Sequence, residues 1–395
     1  MRCIFLFLLQ NLWNLKKIDL EGCMHLTDIP DLSKATKLEH VNLDHCRKIE
    51  SLNIHSKYLS KLYLGWCLSL TEISVTSGEL TRLDLIVARK LESLNVHSTS
   101  FKELELSYCP YLKKMAMVLD EISRLRLLDC AIASLPSSVK SLPKLTHLDL
   151  CDCRDLVSLP ELPRSLRSLL LDNCVSLVSL PELPSSLDLL SAVNCISLET
   201  EKCECQVLQH LLGPNLYGRD SKYFVFPGNH VIDECEFHTT EPSMSIPASC
   251  LNISHLCGFI YCIVFSQKFP PIHGRLIFPI LDDHEASCTL DMSVSIYEDD
   301  SQLWHARSPP VRVPHKSFEF LRSDHMMFGY HDLSKFDGMS ELHLHSRDVR
   351  IIFQLHEELK YRTRFGVFPV YATTSGFKLQ ISKSQSIRPK QPLHQ

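Results

Sequence analysis

The side chains in this chain that could do chemistry are its cysteines, a few histidines and scattered carboxylates. Cys151-x-Cys153 and Cys203-x-Cys205 offer thiolates to a metal. Structural zinc takes four ligands, usually from two well-spaced pairs, and Cys153 already belongs to a regular series. His343 and His345 alternate with Leu342 and Leu344, so on a strand they share the solvent face. Asp282-Asp283-His284 lacks the spacing of an EF-hand and reads as a turn. A nucleophilic cysteine needs a neighbouring base and a lowered pKa, and no such arrangement is legible. No Gly-x-x-x-x-Gly-Lys-Ser/Thr loop is present to cradle phosphates. The expectation is no catalytic, cofactor or metal site, and a chain that works by binding.

The cysteines lead to the elements that position everything else. Eight of the 17, namely Cys23, Cys46, Cys67, Cys109, Cys130, Cys153, Cys174 and Cys195, close copies of one phrase, Leu-x-x-Leu-x-Leu-x-x-Cys, and Ala88 takes that place in another copy. The nine copies open at Leu15, Leu38, Leu59, Leu80, Phe101, Ile122, Leu145, Leu166 and Leu187, at intervals of 21 or 23 residues. That period and pattern mark leucine-rich repeats, which stack into a solenoid around a shared core. The cysteine position faces that core, where a free thiol behaves as a small hydrophobe. Thiols a whole repeat apart are unsuited to pairing, and such a ladder fits a reducing compartment.

Around the central leucines each repeat forms a short strand whose alternate side chains point outward. One outward row is Lys17, His40, Lys61, Arg82, Glu103, Arg124 and His147, continuing through Ser168 and Leu189. The centre row is Asp19, Asn42, Tyr63, Asp84, Glu105, Arg126 and Asp149, continuing through Leu170 and Ser191. Solenoids bind through their concave sheets, so these residues, with Trp66, are the candidate protein-binding set. Interfaces enrich Tyr, Trp and Arg, which singles out Tyr63, Trp66, Arg82, Arg124 and Arg126. The convex side carries phrases such as Leu156–Pro163 and the nearly identical Leu177–Pro184, whose prolines favour extended or 3₁₀ backbone over helix.

Residues 1–14 read as a partial repeat, since their apolar run passes into Leu12-Trp13-Asn14-Leu15 without a small-residue cleavage site. Repeats fill 15–199. Residues 200–222 form a linker, with a helix over 200–213 whose stripe of Val207, Leu208, Leu211 and Leu212 could cap the repeat core. From 223 the apolar period becomes two, as in Cys288, Leu290, Met292, Val294 and Ile296, or Phe377, Leu379 and Ile381. Short strands with Pro and Gly punctuation predict an antiparallel sandwich to 382, and the polar stretch 383–395 is expected to be disordered. A net charge of −5 with scattered Lys and Arg does not suggest a nucleic-acid partner. No apolar run reaches the length of a membrane span.

Residues 15–31, 38–49 and 145–160 resemble the repeats of plant intracellular immune receptors, the TIR-type nucleotide-binding leucine-rich-repeat disease-resistance proteins. Residues 187–200 are similar to that subclass's last repeat. Phe224-Val225-Phe226-Pro227-Gly228-Asn229 looks like the opening of its C-terminal jelly-roll and Ig-like domain. Ser243-Met244-Ser245-Ile246-Pro247, Gly258-Phe259-Ile260-Tyr261-Cys262, residues 324–330 and residues 366–371 resemble the later strands of that domain. The resemblance covers about residues 12–382. It implies a leucine-rich-repeat solenoid, an α/β horseshoe with a short irregular convex side, followed by a jelly-roll/Ig-like β-sandwich. It further implies a cytoplasmic or nucleo-cytoplasmic defence receptor that recognises a pathogen effector or a guarded host protein. The family's TIR and nucleotide-binding motifs are absent from this sequence, and residues 230–237 replace its Trp-containing phrase. The rival readings are an adaptor or decoy that tunes a full-length receptor, a non-immune repeat scaffold, an extracellular ectodomain and, with least support, a sandwich with enzymatic activity.

Overall fold

The computed structural model describes residues 13–29, 32, 35–119, 121–211, 222–233, 235–241, 243–251, 256–265, 287–290, 292–298, 301–307, 311–314, 323–333, 350–355 and 363–371. The readings for residues 1–12, 282–284, 342–345 and 377–395, and for Leu212, lie outside them. In chain order the repeat strands are β1 (Lys17–Asp19), β2 (His40–Asn42), β3 (Ser51–His55), β4 (Lys61–Tyr63), β5 (Glu72–Thr76), β6 (Arg82–Ile86) and β7 (Ser93–Ser98). They continue with β8 (Glu103–Cys109), β9 (Lys114–Leu119), β10 (Arg124–Cys130), β11 (His147–Asp149), β12 (Ser168–Leu170) and β13 (Leu189–Ser191).

Nine of these, β1-β2-β4-β6-β8-β10-β11-β12-β13, lie side by side and parallel, one per repeat, as the concave sheet. Leucine spacing sets this arrangement. In the third repeat Leu59, Leu62, Leu64, Cys67 and Leu70 all have 0% exposure, and each neighbouring repeat places its counterparts against them. Thiols then tie successive repeats together. Cys46 Sγ donates to Leu20 O at 3.2 Å, Cys67 to Leu43 O at 3.2 Å, Cys153 to Leu127 O at 3.0 Å, Cys174 to Leu150 O at 3.1 Å and Cys195 to Leu171 O at 3.0 Å. Burial pushes the Cys67 thiol up to about 12. The neighbouring thiols of Cys109 and Cys195, together with burial, push Cys130 and Cys174 upward as well. The fifteen cysteines from Cys23 to Cys262 are free.

The convex side corrects the expectation of a short irregular edge. In repeats two to five it is a second parallel sheet, β3-β5-β7-β9, in continuous register. The α/β label also fails, because among the described residues of 15–199 no α-helix occurs. The cause is local: residues 51–55, 72–76 and 93–97 alternate Leu, Ile or Val inward with Ser, Asn, Thr, His or Glu outward, a strand period. Later repeats, rich in proline, keep one convex backbone bond per repeat, such as Val178 N–H to Val157 O at 3.2 Å, with a 3₁₀ turn at Ser137–Ser141.

Each corner between the sheets passes through one left-handed residue just before the ladder position: Gly22, His45, Trp66, Val87, Tyr108, Asp129, Asp152, Asn173 and Asn194. Glycine reaches this conformation without a Cβ clash, and Asn and Asp reach it with short side chains that bond locally.

A helix, α1 (Thr200–Leu211), comes after the last repeat and puts Cys203, Val207 and Leu211 into the repeat core. The concave sheet then continues. Strand β14 (Tyr223–Pro227) pairs parallel with β13. Beyond it, in chain order, are β15 (Phe237–Thr239), β16 (Ser243–Pro247), β17 (Leu256–Phe265), β18 (Ser287–Leu290), β19 (Met292–Glu298), β20 (Ser301–Arg307), β21 (Val311–Pro314), β22 (His325–Asp332), β23 (Arg350–Leu355) and β24 (Thr363–Tyr371). Antiparallel β22, β17, β24 and β15 extend the sheet past β14 to fourteen strands.

A separate sheet, β16-β23-β19-β20, shares a core with this extension. Phe259 meets Phe353 edge-on at 4.9 Å, and Val225, Tyr261, Met327 and Val367 join Ile246, Val294, Ile296 and Ile351. The opposite face of β17, Ile260, Cys262 and Val264, belongs to the repeat-side core. Burial on both faces explains why residues 256–265 read as a continuous apolar run. Gly329 is required where it stands: a Cβ there would lie 2.1 Å from Tyr261 Oη, on a side chain with 0% exposure.

Candidate protein-recognition surface

The concave strands stand in register, so the outward rows become two parallel files. Lys17 pairs with His40, His40 with Lys61, Lys61 with Arg82, Arg82 with Glu103, Glu103 with Arg124 and Arg124 with His147. Beside them run Asp19, Asn42, Tyr63, Asp84, Glu105, Arg126 and Asp149 in the same register. Neighbours within a file are about 4.8 Å apart, near enough for long side chains to meet.

They meet with opposite charge. Arg82 Nη2 lies 3.3 Å from Asp84 Oδ2, and its guanidinium sits 5.5 Å over the Tyr63 ring. Arg124 Nε is 3.9 Å from Glu103 Oε1. Arg126 bridges two strands, with Nη1 3.5 Å from Glu105 and Nε 3.5 Å from Asp149. Lys17 reaches Asp19 at 3.5 Å. Exposed pairs of this kind add at most about 1 kcal/mol each to stability. They place the arginines beside carboxylates above a concave floor. The floor is a hollow of about 690 Å³ bounded by Lys61, Arg82, Asp84, Glu103, Glu105, Arg124, Arg126, His147, Asp149 and Leu170. Partial burial lowers the His147 pKa, and Arg124 and Arg167 lower it further. The imidazole thus adds little positive charge to the face at neutral pH.

Two candidates are placed differently from the sequence reading. Trp66 is not on the concave face. It lies three residues after β4, and its left-handed backbone (φ 60°) carries it round the corner, where its indole stacks on His45. Asp149 lies on the face but is only 8% exposed. One of its oxygens accepts the Cys151 N–H at 3.2 Å and the other faces Arg126, so it serves the fold as much as the surface. The remaining candidates lie along the sheet as the leucine spacing directs. Toward the C-terminal end the floor turns apolar and closes, with Ser168 at 9% exposure and Ser191 at 2%. Ser191 Oγ donates to the buried Asp172 carboxylate at 2.5 Å, which also accepts Val193 N–H at 3.0 Å.

The two Cys-x-Cys pairs split apart. Cys153 is buried in the ladder, while Cys151 lies near Asp149 and Asp172, and burial with those carboxylates raises its thiol well above the usual range. Cys203 packs in the core and Cys205 is exposed. Among the described residues no three His, Cys, Asp or Glu side chains gather as a metal site, and no helix is long and apolar enough to cross a membrane.

Sequence reasoning passed over the corner row, although five of its nine members are Gly, Asp or Asn, the types that favour positive φ. It also passed over His325, whose partner, Asn194, lies 131 residues away.

No family model matches the chain. Among solved structures, the functional domain of InlJ from Listeria monocytogenes, which includes a cysteine ladder, is 15% identical with a TM-score of 0.15, over 59% of this chain and 68% of that one. A leucine-rich-repeat protein of Leptospira interrogans is 15% identical with a TM-score of 0.13, over 51% of this chain and 95% of that one. At these TM-scores neither likeness carries an argument. In sequence the chain is 32% identical over 167 residues, 42% of its length, to Disease resistance protein RML1A of Arabidopsis thaliana. It is 43% identical over 54 residues, 14% of its length, to Disease resistance protein RPP5 of the same plant. It spans 15% and 4% of the lengths of those relatives. The chain is a leucine-rich-repeat protein similar in sequence to plant disease-resistance proteins.

Proposed function

We propose that this chain is the recognition portion of a plant defence receptor, binding a pathogen effector or a guarded host protein through its concave sheet. The observation that carries the reading is the ordered file of charged and aromatic groups from Lys61 to Asp149 around the concave hollow. Its arginines stand beside carboxylates, which gives a partner charges of both signs to match. Similarity to disease-resistance proteins supports the defence assignment. The free buried thiols support a reducing, cytoplasmic setting. We further assign the segment after α1 to the jelly-roll/Ig-like kind, supported by its two sheets around one core. On this reading the chain is a binding protein, not an enzyme, and takes no cofactor.

The test uses a protein ligand selected by display on the wild-type chain. Replacing Arg124 and Arg126 together with alanine should weaken binding by about 2 kcal/mol or more, the scale of interface hot spots. Replacing Ser158 and Ser179, on the convex loops, should change it by less than about 0.5 kcal/mol. Loss of binding confined to the convex pair would overturn the concave-face model.

A further inference from the structure

Every repeat turns its corner through one left-handed residue, but the side chains at four of these corners are not ones that the turn favours. Where Gly22, Asn173 and Asn194 adopt positive φ cheaply, His45, Trp66, Val87 and Tyr108 hold the same conformation at φ 58–63°. A bulky or β-branched residue there is strained, and such strain gathers at functional sites. These four fall in consecutive repeats. Their backbones are bonded in line: His45 N–H to Gly65 O at 2.8 Å, Trp66 N–H to Ile86 O at 2.7 Å and Val87 N–H to Ser107 O at 2.8 Å. The His45 and Trp66 rings stack at 6.0 Å and 11°. Tyr108 and Tyr111 are 52% and 56% exposed, so these aromatic side chains reach the surface and do not fill the core.

Cations accompany them. Arg47 and Lys48 come after the ladder residue Cys46, Arg89 and Lys90 after Ala88, and Lys113 lies in the next repeat, all exposed. None of the five forms an ion pair among the described residues, in contrast to Arg82, Arg124 and Arg126 on the concave sheet. Glu50 and Glu92 stand three or two residues beyond these cations and are also exposed, so the positive charge falls in separate clusters.

We propose that this corner row is a second docking site, for an acidic polypeptide segment with apolar side chains between its carboxylates. The aromatic rings accept the apolar side chains, and the uncommitted cations accept the carboxylates. A nucleic-acid strand is disfavoured, because its phosphates recur without a gap and would meet Glu50 and Glu92. Four repeats about 4.8 Å apart span about 14 Å, which an extended segment of about five residues covers. The site shares no residue with the concave file, so it stands whether or not that surface binds.

The experiment measures anisotropy of a fluorescein-labelled octapeptide of repeating Glu-Glu-Leu-Leu, which when extended presents glutamate and leucine in turn on each face, titrated with the full chain. The variant Trp66→Asn with Tyr108→Asn installs the residue type that suits this backbone at Asn173 and Asn194. Its thermal midpoint should be unchanged or raised, while peptide binding weakens about tenfold or more. Arg124→Ala with Arg126→Ala should leave peptide binding within about twofold. The proposal is overturned by absence of saturable binding, by equal binding to the asparagine variant, or by a lowered thermal midpoint in that variant. It is also overturned if an eight-nucleotide oligothymidylate displaces the peptide at lower concentration than unlabelled peptide does, which would assign the site to nucleic acid.

Discussion

At the scale of the residue, His325 shows how one side chain joins the repeats to the C-terminal segment. It has 0% exposure. Its Nδ1–H donates to Ser323 O at 2.8 Å, which leaves Nε2 to accept the Asn194 N–H at 2.9 Å. The bond from Asn194 needs the neutral ring, since a protonated Nε2 cannot accept, and burial pushes the pKa down to about 4. In the unfolded chain the ring titrates near its ordinary value of 6.5. Above that pH neither state binds the proton. As pH falls from 6.5 toward 4 the unfolded chain binds it and the folded chain does not, so stability drops by about 3 kcal/mol at this site. His210, also pushed down to about 4 by burial and Lys222, acts with the same sign. The expected outcome is an unfolding free energy that is level above about pH 7 and falls through this window. His325→Phe should lessen that slope, while the orphaned Asn194 N–H lowers stability at neutral pH by about 1–3 kcal/mol. Urea titrations across the pH range measure both. None of this was legible in the sequence, because the bond joins residues far apart in a non-repeating part of the chain.

The elements were legible in proportion to their periodicity. The leucines and cysteines that build the concave strands recur every 21 or 23 residues, and the strand period then fixes which side chains face outward. The paired files of opposite charge could be placed on those grounds. The convex strands were equally written in alternation, at residues 51–55, 72–76 and 93–97, but the leucine phrase dominates the pattern and hid them. Trp66 was misplaced for a related reason: a corner ends the strand's alternation, and a single left-handed residue redirects the chain beyond it. The ladder itself makes a graded prediction. Cys67 Sγ lies 3.2 Å from Leu43 O, whereas Cys109 Sγ lies 3.7 Å from Ser107 O, within an extended β8. A hydroxyl reaches less far than a thiol, so Cys109→Ser leaves a buried, poorly bonded group and should destabilise by about 1–3 kcal/mol. Cys67→Ser keeps an acceptor in line and should cost less. Chemical unfolding midpoints of the two variants provide the comparison.

At the scale of the whole molecule, the repeats do not end in a free edge. β14 continues the concave sheet, while α1 contributes Val207 and Leu211, and the extension Phe224, Phe226 and Phe328, to the same core as the leucines. Further contacts bind the two parts, including His230 Nε2 to Glu204 at 3.5 Å. A solenoid whose terminal core is bare aggregates. A chain ending at Leu198 should therefore run as aggregates in size-exclusion chromatography, and a chain ending at Ser382 should elute as a soluble species. Equal behaviour would remove the capping role from the C-terminal segment. The change of period after residue 223 was visible in the sequence. The parallel junction of β13 with β14 was not, since it depends on an edge created by tertiary stacking.

That unbroken sheet also sets a timetable. Neighbouring concave strands are about twenty residues apart in the chain, so repeats can zip together as they leave the ribosome, each contact closing a short loop. The strand that shields the far side of β14 is β22, about a hundred residues later, and β17 waits longer still for β24. A nascent chain thus carries a completed stack with an open, growing end until nearly its last strand is made. Pausing or premature termination in that interval leaves the far edge of β14 unpaired, which makes the stretch from β14 to β24 the vulnerable period of this protein's biogenesis.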